Sequence, residues 1–304
     1  MDIAVIGAGG VGGYYGGLLA RAGHRVTMLA RGEHLAALRV RGLEIRMPDE
    51  HFVVPVGAAS KPEELVGAEL AIVAVKSYSL PDVAPAIALV ANNGSAVLPL
   101  LNGVDTVEQL LSFRISKKQI VAGLTSISVF KIAPGVIERR SSFARVVVGE
   151  PDGGASERVD RIVAAFGQAK IDVAASTNIT LDLWRKFAFI TTLAAASGLS
   201  RTAIGPVRNA HLGNLLLERS VREIAAVANA RGVPLSETDI QNTLATIQGL
   251  AAQMKPSFLA DLERGGPTEL DILSGAVSRM GRQFGIQTPV HDTAAAALAA
   301  ALGT

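Results

Sequence analysis

The stretch Asp2-Ile3-Ala4-Val5-Ile6-Gly7-Ala8-Gly9-Gly10-Val11-Gly12 decides the reading of this chain. Its first five residues, four of them apolar, fit a strand buried on both faces, as strands of a parallel sheet are. The strand runs directly into Gly-x-Gly-x-x-Gly, and each glycine has a separate reason to be there. Gly7 allows the tight turn, Gly9 lets a pyrophosphate approach the backbone, and Gly12 permits close helix–strand packing. Gly10 and Val11 complete the loop and open a helix whose N-terminus faces the phosphates. A lone motif of this kind is weak and also describes a glycine-rich turn. The apolar strand before it, its place at the start of the chain and a second strand at the right distance make it a dinucleotide site formed by Gly7, Gly9, Gly10, Val11 and Gly12.

Outward from the loop, the second strand (25–29) should lead to an acidic residue about 20 positions on if the cofactor ribose carries a free 2′-hydroxyl. It leads instead to Ala30-Arg31-Gly32. A guanidinium pairs with a 2′-phosphate and lies on an adenine face, so Arg31 predicts NADPH over NADH. The competing explanation is a surface arginine in a strand–helix loop.

Further out, short β-branched runs alternate with helix-like segments, the pattern of a doubly wound α/β sheet. Strands are expected at 2–6, 25–29, 70–75, 96–99, 120–124, 136–139, 145–148 and 172–174. The first four are read as parallel. The later ones are spaced like hairpins, with Ala133-Pro134-Gly135 and Arg140-Ser141-Ser142 as turns, which gives the sheet a mixed far edge. After Ser176 the strand signal stops, and helices are expected at 178–197, 207–230, 237–250, 258–264, 269–284 and 290–302. Ser236 with Asp239 is capping-box-like, and Gly232, Gly265 and Gly285 stand where helices end. The fold class is therefore a Rossmann-like α/β domain, residues 1–176, followed by an all-α domain, residues 177–304.

Composition agrees with a folded two-domain protein and removes several other classes. The 304 residues are 49% hydrophobic and 18% charged, with a mean hydropathy of +0.35, which excludes disorder. The longest strongly apolar stretch, 187–199, is interrupted by Thr191, Thr192 and Ser197 and falls short of the roughly 20 residues that span a bilayer. It reads as a buried helix. The start carries no secretory pattern, so the expected location is the cytoplasm. Lys and Arg total 29 against 27 Asp and Glu, a net charge of +2 with scattered basic residues and few aromatics, which speaks against nucleic acid. The absence of Cys rules out disulfides and thiolate chemistry, and the five His show no metal-ligand spacing, so no metal is expected. The apolar helical half permits a homodimer without requiring one.

Six pieces in order resemble the ketopantoate reductase (2-dehydropantoate 2-reductase) family: the glycine loop, Ala30-Arg31-Gly32, Val75-Lys76, Leu101-Asn102-Gly103-Val104, Leu183-Trp184-Arg185-Lys186-Phe187, and Ser257 followed twelve positions later by Glu269 in Pro267-Thr268-Glu269-Leu270-Asp271. The likeness implies a cleft in which NADPH reduces a 2-oxo acid, a small-molecule substrate. It implies Lys186 as general acid and Glu269 as the carboxylate that orients the lysine or the substrate. Ser257 would donate to the substrate carboxylate, Asn102 would hold the nicotinamide ribose or the substrate, and Lys76 would lie at the cofactor end of the sheet. Outside that context each has an ordinary explanation: a solvated helix lysine, a capping glutamate or serine, a turn asparagine. Glu269, read at a helix start, would be kept ionised by the helix dipole.

One departure stands out. The resemblance implies two substrate-binding asparagines, one and two turns beyond the lysine, where this chain has Ile190 and Ala194. Lys186, Ile190 and Ala194 form an i, i+4, i+8 stripe, so the change would face the lysine's cleft. Each buried hydrogen bond lost costs about 1–3 kcal/mol, and an apolar lining suits a more apolar substituent. The sequence thus leaves four functions standing: reduction of ketopantoate to pantoate, the same chemistry on a more apolar 2-oxo acid or related carbonyl, a non-catalytic NADP-binding regulator, and an opine-forming or imine-reducing enzyme.

Overall fold

In the computed structural model, which describes residues 1–303, the opening strand β1 (Asp2–Ile6) is buried on both faces. Ile3 and Val5 join one apolar cluster while Ala4 and Ile6 join another across the sheet, as the two-residue period of a strand demands. The chain continues through α1 (Gly10–Arg21), β2 (Arg25–Leu29), α2 (Gly32–Arg41), β3 (Leu43–Arg46), β4 (His51–Val54) and β5 (Gly57–Ala59). It then forms β6 (Leu70–Val73), α3 (Leu80–Asn92), β7 (Ala96–Pro99), α4 (Thr106–Ser112), β8 (Ala122–Ala133), β9 (Val136–Gly149), α5 (Glu157–Gln168) and β10 (Asp172–Ser176). These elements lie in one of two compact units, Met1–Ile179; the second begins at Thr180.

Two sheets replace the single one expected. The first is wholly parallel, in the order β5-β2-β1-β6-β7, so the first four strands read from sequence are parallel as expected. The second is mixed, in the order β10-β9-β3-β4 with β8 beside β9. Strands β3, β4 and β5 were not anticipated: Leu43-Glu44-Ile45-Arg46 and His51-Phe52-Val53-Val54 are short, and their antiparallel pairing is supported by the neighbouring β9. Pro134-Gly135 makes the expected tight turn between β8 and β9, with Gly135 at φ +77°. Arg140-Ser141-Ser142 does not turn. β9 runs through it, and the register jumps from Ile127↔Ala144 to Val129↔Arg139, so these residues bulge out of a continuous strand. The Ser141 hydroxyl secures the bulge, accepting from the Ser128 amide at 3.0 Å and donating to the Phe143 carbonyl at 2.6 Å.

Helix α1 packs between the two sheets, and its glycines make that possible. A Cβ on Gly12 or Gly16 would collide with Val5 and Met28 of the parallel sheet, at 2.8 and 2.6 Å, while one on Gly13 or Gly17 would meet Ile137 and Ile45 of the second sheet, at 2.7 and 3.0 Å. Two i, i+4 pairs thus clear opposite sides of one helix. Tyr15, fully buried between them, binds Thr125 of β8 through its hydroxyl at 2.5 Å.

The second unit is helical: α6 (Ile179–Ser200), α7 (Ile204–Asn209), α8 (Gly213–Ala230), α9 (Glu237–Gly249), α10 (Ser257–Glu263), α11 (Ser274–Phe284) and α12 (Pro289–Leu302). The helix expected over 207–230 is broken. Leu212 adopts a left-handed φ of +63°, and a Cβ on Gly213 would sit 1.8 Å from the Val207 carbonyl oxygen. The helix expected from Glu269 starts five residues later, at Ser274. The Ser236–Asp239 capping box is formed: the Ser236 amide donates to the Asp239 carboxylate at 2.9 Å, and the Asp239 amide donates to Ser236 Oγ at 3.2 Å. No helix among the described residues is long and apolar enough to cross a membrane.

A polar network is sealed inside this unit. His291 is fully buried; its Nε2 lies 3.1 Å from Ser220 Oγ and its Nδ1 3.2 Å from Ser274 Oγ, while Glu223 accepts from the amides of Val290 and His291 at the start of α12. Burial pushes the His291 imidazole down to about 4, against weaker upward pulls from the Ser220 carbonyl and Asp292. The unfolded chain therefore binds more protons between pH 6.5 and 4, so stability from this group is complete above the unfolded value and is lost as the pH falls. Loss across the whole window is about 3 kcal/mol. Burial raises Glu223, which acts in the opposite direction. Thermal unfolding should show Tm several degrees lower at pH 5 than at pH 7.5, and an unchanged Tm would contradict the neutral buried imidazole.

Candidate functional site

Four adjacent strands of the parallel sheet deliver candidate residues at their carboxyl ends. β2 is followed by Arg31, β1 by Gly7–Gly12, β6 by Lys76 and β7 by Asn102. β1 lies between β2 and β6, where the chain reverses its direction of winding, and open α/β sheets bind ligands at such a switch point. Lys76 precedes a short 3₁₀ turn and Asn102 precedes Gly103, at φ +101°; both side chains are partly exposed.

The loop after β1 has the form a dinucleotide requires. Gly7 has φ +102°, and a Cβ on it would come within 2.7 Å of the Ala74 backbone. Gly12 lies so near the Gly7 carbonyl that a Cβ would stand 2.2 Å from its oxygen. Around Gly9, by contrast, a Cβ would meet nothing within 4 Å, which leaves room for a ligand against the backbone at the N-terminus of α1. Gly10 has a second duty: its missing Cβ admits the Val129 carbonyl of β8, at 2.5 Å from where a Cβ would be. Val11 is partly exposed on the first turn. Arg31 caps α2 in extended conformation and is exposed. Sequence reasoning overlooked His34, buried one turn into α2, whose Nε2 lies 2.7 Å from the Ala8 carbonyl oxygen. Its signal, a histidine following Ala-Arg-Gly-Glu, is indistinguishable in sequence from a surface residue.

In the helical unit, Trp184 and Phe187 of α6 pack edge-on in the core, ring centroids 5.5 Å apart. Arg185 points elsewhere and binds Asp239 of α9 at 2.8 Å and Asp182 at 3.1 Å. Lys186 is partly buried. Burial pushes its ammonium down to about 8, and the Glu269 carboxylate pulls the other way, so the two groups sense one another's charge. Glu269 is 5% exposed. It stands in the turn before α11 and not in a helical first turn, so the helix-dipole argument does not apply to it. Ser257 is the first residue of α10, exposed, and Pro256 occupies the cap position.

The apolar stripe is present as expected on α6. Ile190 is partly exposed and Ala194 is 3% exposed, so the stripe descends from the lysine into buried packing. Neighbouring hydroxyls do not substitute for amides there: Thr191 and Thr192 are fully buried, and Thr192 Oγ1 accepts a hydrogen bond from Ser220 at 2.9 Å.

A doubly wound sheet with a glycine loop at its switch point, followed by a helical unit, is the architecture of a dinucleotide-binding protein. The chain belongs to the ketopantoate reductase family. Residues 3–153 match the family described as Ketopantoate reductase PanE/ApbA, and residues 178–301 match its C-terminal counterpart. The chain is 32% identical to the uncharacterized oxidoreductase YkpB of Bacillus subtilis, over 96% of both chains. It is 30% identical to the 2-dehydropantoate 2-reductase of Halobacterium salinarum, over 97% of both. Among solved structures, a PanE/ApbA family ketopantoate reductase from Ralstonia eutropha superimposes with a TM-score of 0.91 at 29% identity, over 100% of this chain and 99% of that one. D-mandelate dehydrogenase bound to NADH and anilino(oxo)acetate gives 0.90 at 21% identity over the whole of both chains, a likeness of fold. As a family member the protein is an oxidoreductase acting between C=O and CH–OH groups.

Proposed function

We propose that this protein reduces the 2-oxo acid 2-dehydropantoate (ketopantoate) to pantoate in the cytoplasm, with NADPH as the reductant. The observation that carries the proposal is Lys186, an ammonium brought down to about 8 by burial with the buried Glu269 beside it in charge, in a chain of this family. Bound NADPH supplies the hydride. The product of hydride addition at C2 is an alkoxide, which a cation placed against the oxygen stabilises and then protonates. Lys186 fills that role: with a pKa near 8 it is mostly protonated at neutral pH yet gives up its proton more readily than an exposed lysine. Glu269 orients Lys186 or the substrate, Ser257 donates to the substrate carboxylate, and Asn102 and Lys76 serve the cofactor and the reacting end of the substrate. Gly7, Gly9, Gly10, Val11 and Gly12 bind the pyrophosphate, and Arg31 the 2′-phosphate.

Ile190 and Ala194 favour a second reading, the same chemistry on a 2-oxo acid with a more apolar substituent. The two readings separate on one variant. If the pocket is adapted to an apolar acid, Ile190→Asn, alone and with Ala194→Asn, raises kcat/KM for ketopantoate about tenfold, the equivalent of one recovered hydrogen bond, and lowers it for bulkier acids. No gain on ketopantoate, together with efficient turnover by the unaltered enzyme, means that other contacts already hold this substrate.

A further inference from the structure

His34 makes two hydrogen bonds that fix both its tautomer and its neighbours. Its Nδ1 accepts from the Gly135 amide at 2.9 Å, and its Nε2 lies 2.7 Å from the Ala8 carbonyl oxygen. An amide only donates and a carbonyl only accepts, so the ring is neutral with its proton on Nε2. It thereby joins the first turn of α2, the β8–β9 turn and the glycine loop at the second residue of Gly7-Ala8-Gly9. No peptide bond among the described residues is cis, so the amide of Gly9 points opposite to the Ala8 carbonyl. With that carbonyl turned toward His34, the Gly9 N–H is turned away from it, and the place a Cβ would take on Gly9 has nothing within 4 Å.

We propose that His34 is a positioning residue for the dinucleotide: by holding the Ala8 carbonyl, it aims the Gly9 amide at the pyrophosphate site and keeps α2, which begins beside Arg31, in register with the loop. The inference rests on the reading of Gly7–Gly12 as the dinucleotide loop. It carries a pH consequence, because a proton on Nδ1 would face the Gly135 N–H and break the bridge. Burial already lowers the His34 pKa, the Ala8 bond opposes this, and Lys131 lowers it further. Lys131 is the charged group facing the ring from the β8–β9 hairpin; the glycine loop brings none, and Arg31 and Glu33 flank it on α2, both exposed.

The test is equilibrium binding of NADPH by fluorescence or calorimetry, without substrate, to the wild-type protein and to His34→Leu, His34→Gln and His34→Asn. Gln reaches the Ala8 carbonyl with an N–H, whereas Asn reaches only as far as the Gly135 amide. Leu and Asn should raise Kd about five- to tenfold, the scale of one hydrogen bond, and Gln should stay within about twofold of wild type. If His34→Leu does not fold, the Gln and Asn pair decides the matter. A Kd unchanged in Leu or Asn, with or without a lower Tm, overturns the proposal. A wild-type protein that binds no dinucleotide at all instead overturns the reading of the loop.

Discussion

Lys186→Ala lowers kcat by about 10²–10⁴-fold, the range over which a positioned general acid acts, while NADPH affinity stays within about twofold, because the glycine loop and Arg31 lie on the other unit. The loss belongs to the proton and to the charge together. Lys186→Arg separates them: guanidinium keeps a cation opposite Glu269 but does not deprotonate in the working range, so it restores part of the oxyanion stabilisation and little of the proton transfer. Wild-type kcat/KM should fall as the pH rises through about 8, where burial leaves the Lys186 ammonium, since only the protonated form is an acid. Glu269 opposes that lowering, so Glu269→Gln should move the alkaline limb to lower pH. A Lys186→Ala enzyme retaining kcat within tenfold of wild type would remove the lysine from the chemistry.

Arg31→Glu comes next in size. Among the described residues Arg31 forms no ion pair of its own, and it stands exposed between the end of β2 and the first turn of α2. A guanidinium so placed is available to an anion, and a hydrogen bond to a charged group contributes about 1.5–3 kcal/mol. That corresponds to a preference for NADPH of about ten- to a hundredfold. A carboxylate in its place repels a 2′-phosphate and accepts from a 2′-hydroxyl, so the ratio of Kd values for NADPH and NADH should fall by at least that factor or reverse. An unchanged ratio would show that Arg31 is a surface residue and that cofactor selection lies elsewhere.

What the sequence disclosed followed from how local its cause was. The glycine loop, the parallel pairing of the first four strands and the helical second half are written in periodicity and in glycine spacing, and the structure repeats them. In the second sheet β3 and β4 were not legible, because Leu43–Arg46 and His51–Val54 become strands through β9, far along the chain. Arg140-Ser141-Ser142 carries turn chemistry, yet long-range pairing with β8 on either side keeps the backbone extended and converts the turn signal into a bulge. Leu212 opens α8 from a left-handed conformation that usually calls for glycine, so no sequence punctuation marks the break between α7 and α8. The Leu-Trp-Arg-Lys-Phe context singled out Lys186 in the sequence, and the structure adds its partial burial; the turn around Glu269 and the buried His34 were not legible, since both depend on packing partners distant in sequence.

Reduction of ketopantoate with NADPH is tested by initial-rate NADPH oxidation with ketopantoate beside a graded series of bulkier, more apolar 2-oxo acids, with Lys186→Ala assayed in parallel. Ketopantoate should be the best substrate, at a kcat/KM of about 10⁴ M⁻¹s⁻¹ or more, with no turnover above background in the variant. A bulkier apolar acid preferred over ketopantoate, or turnover that survives the loss of Lys186, would contradict it.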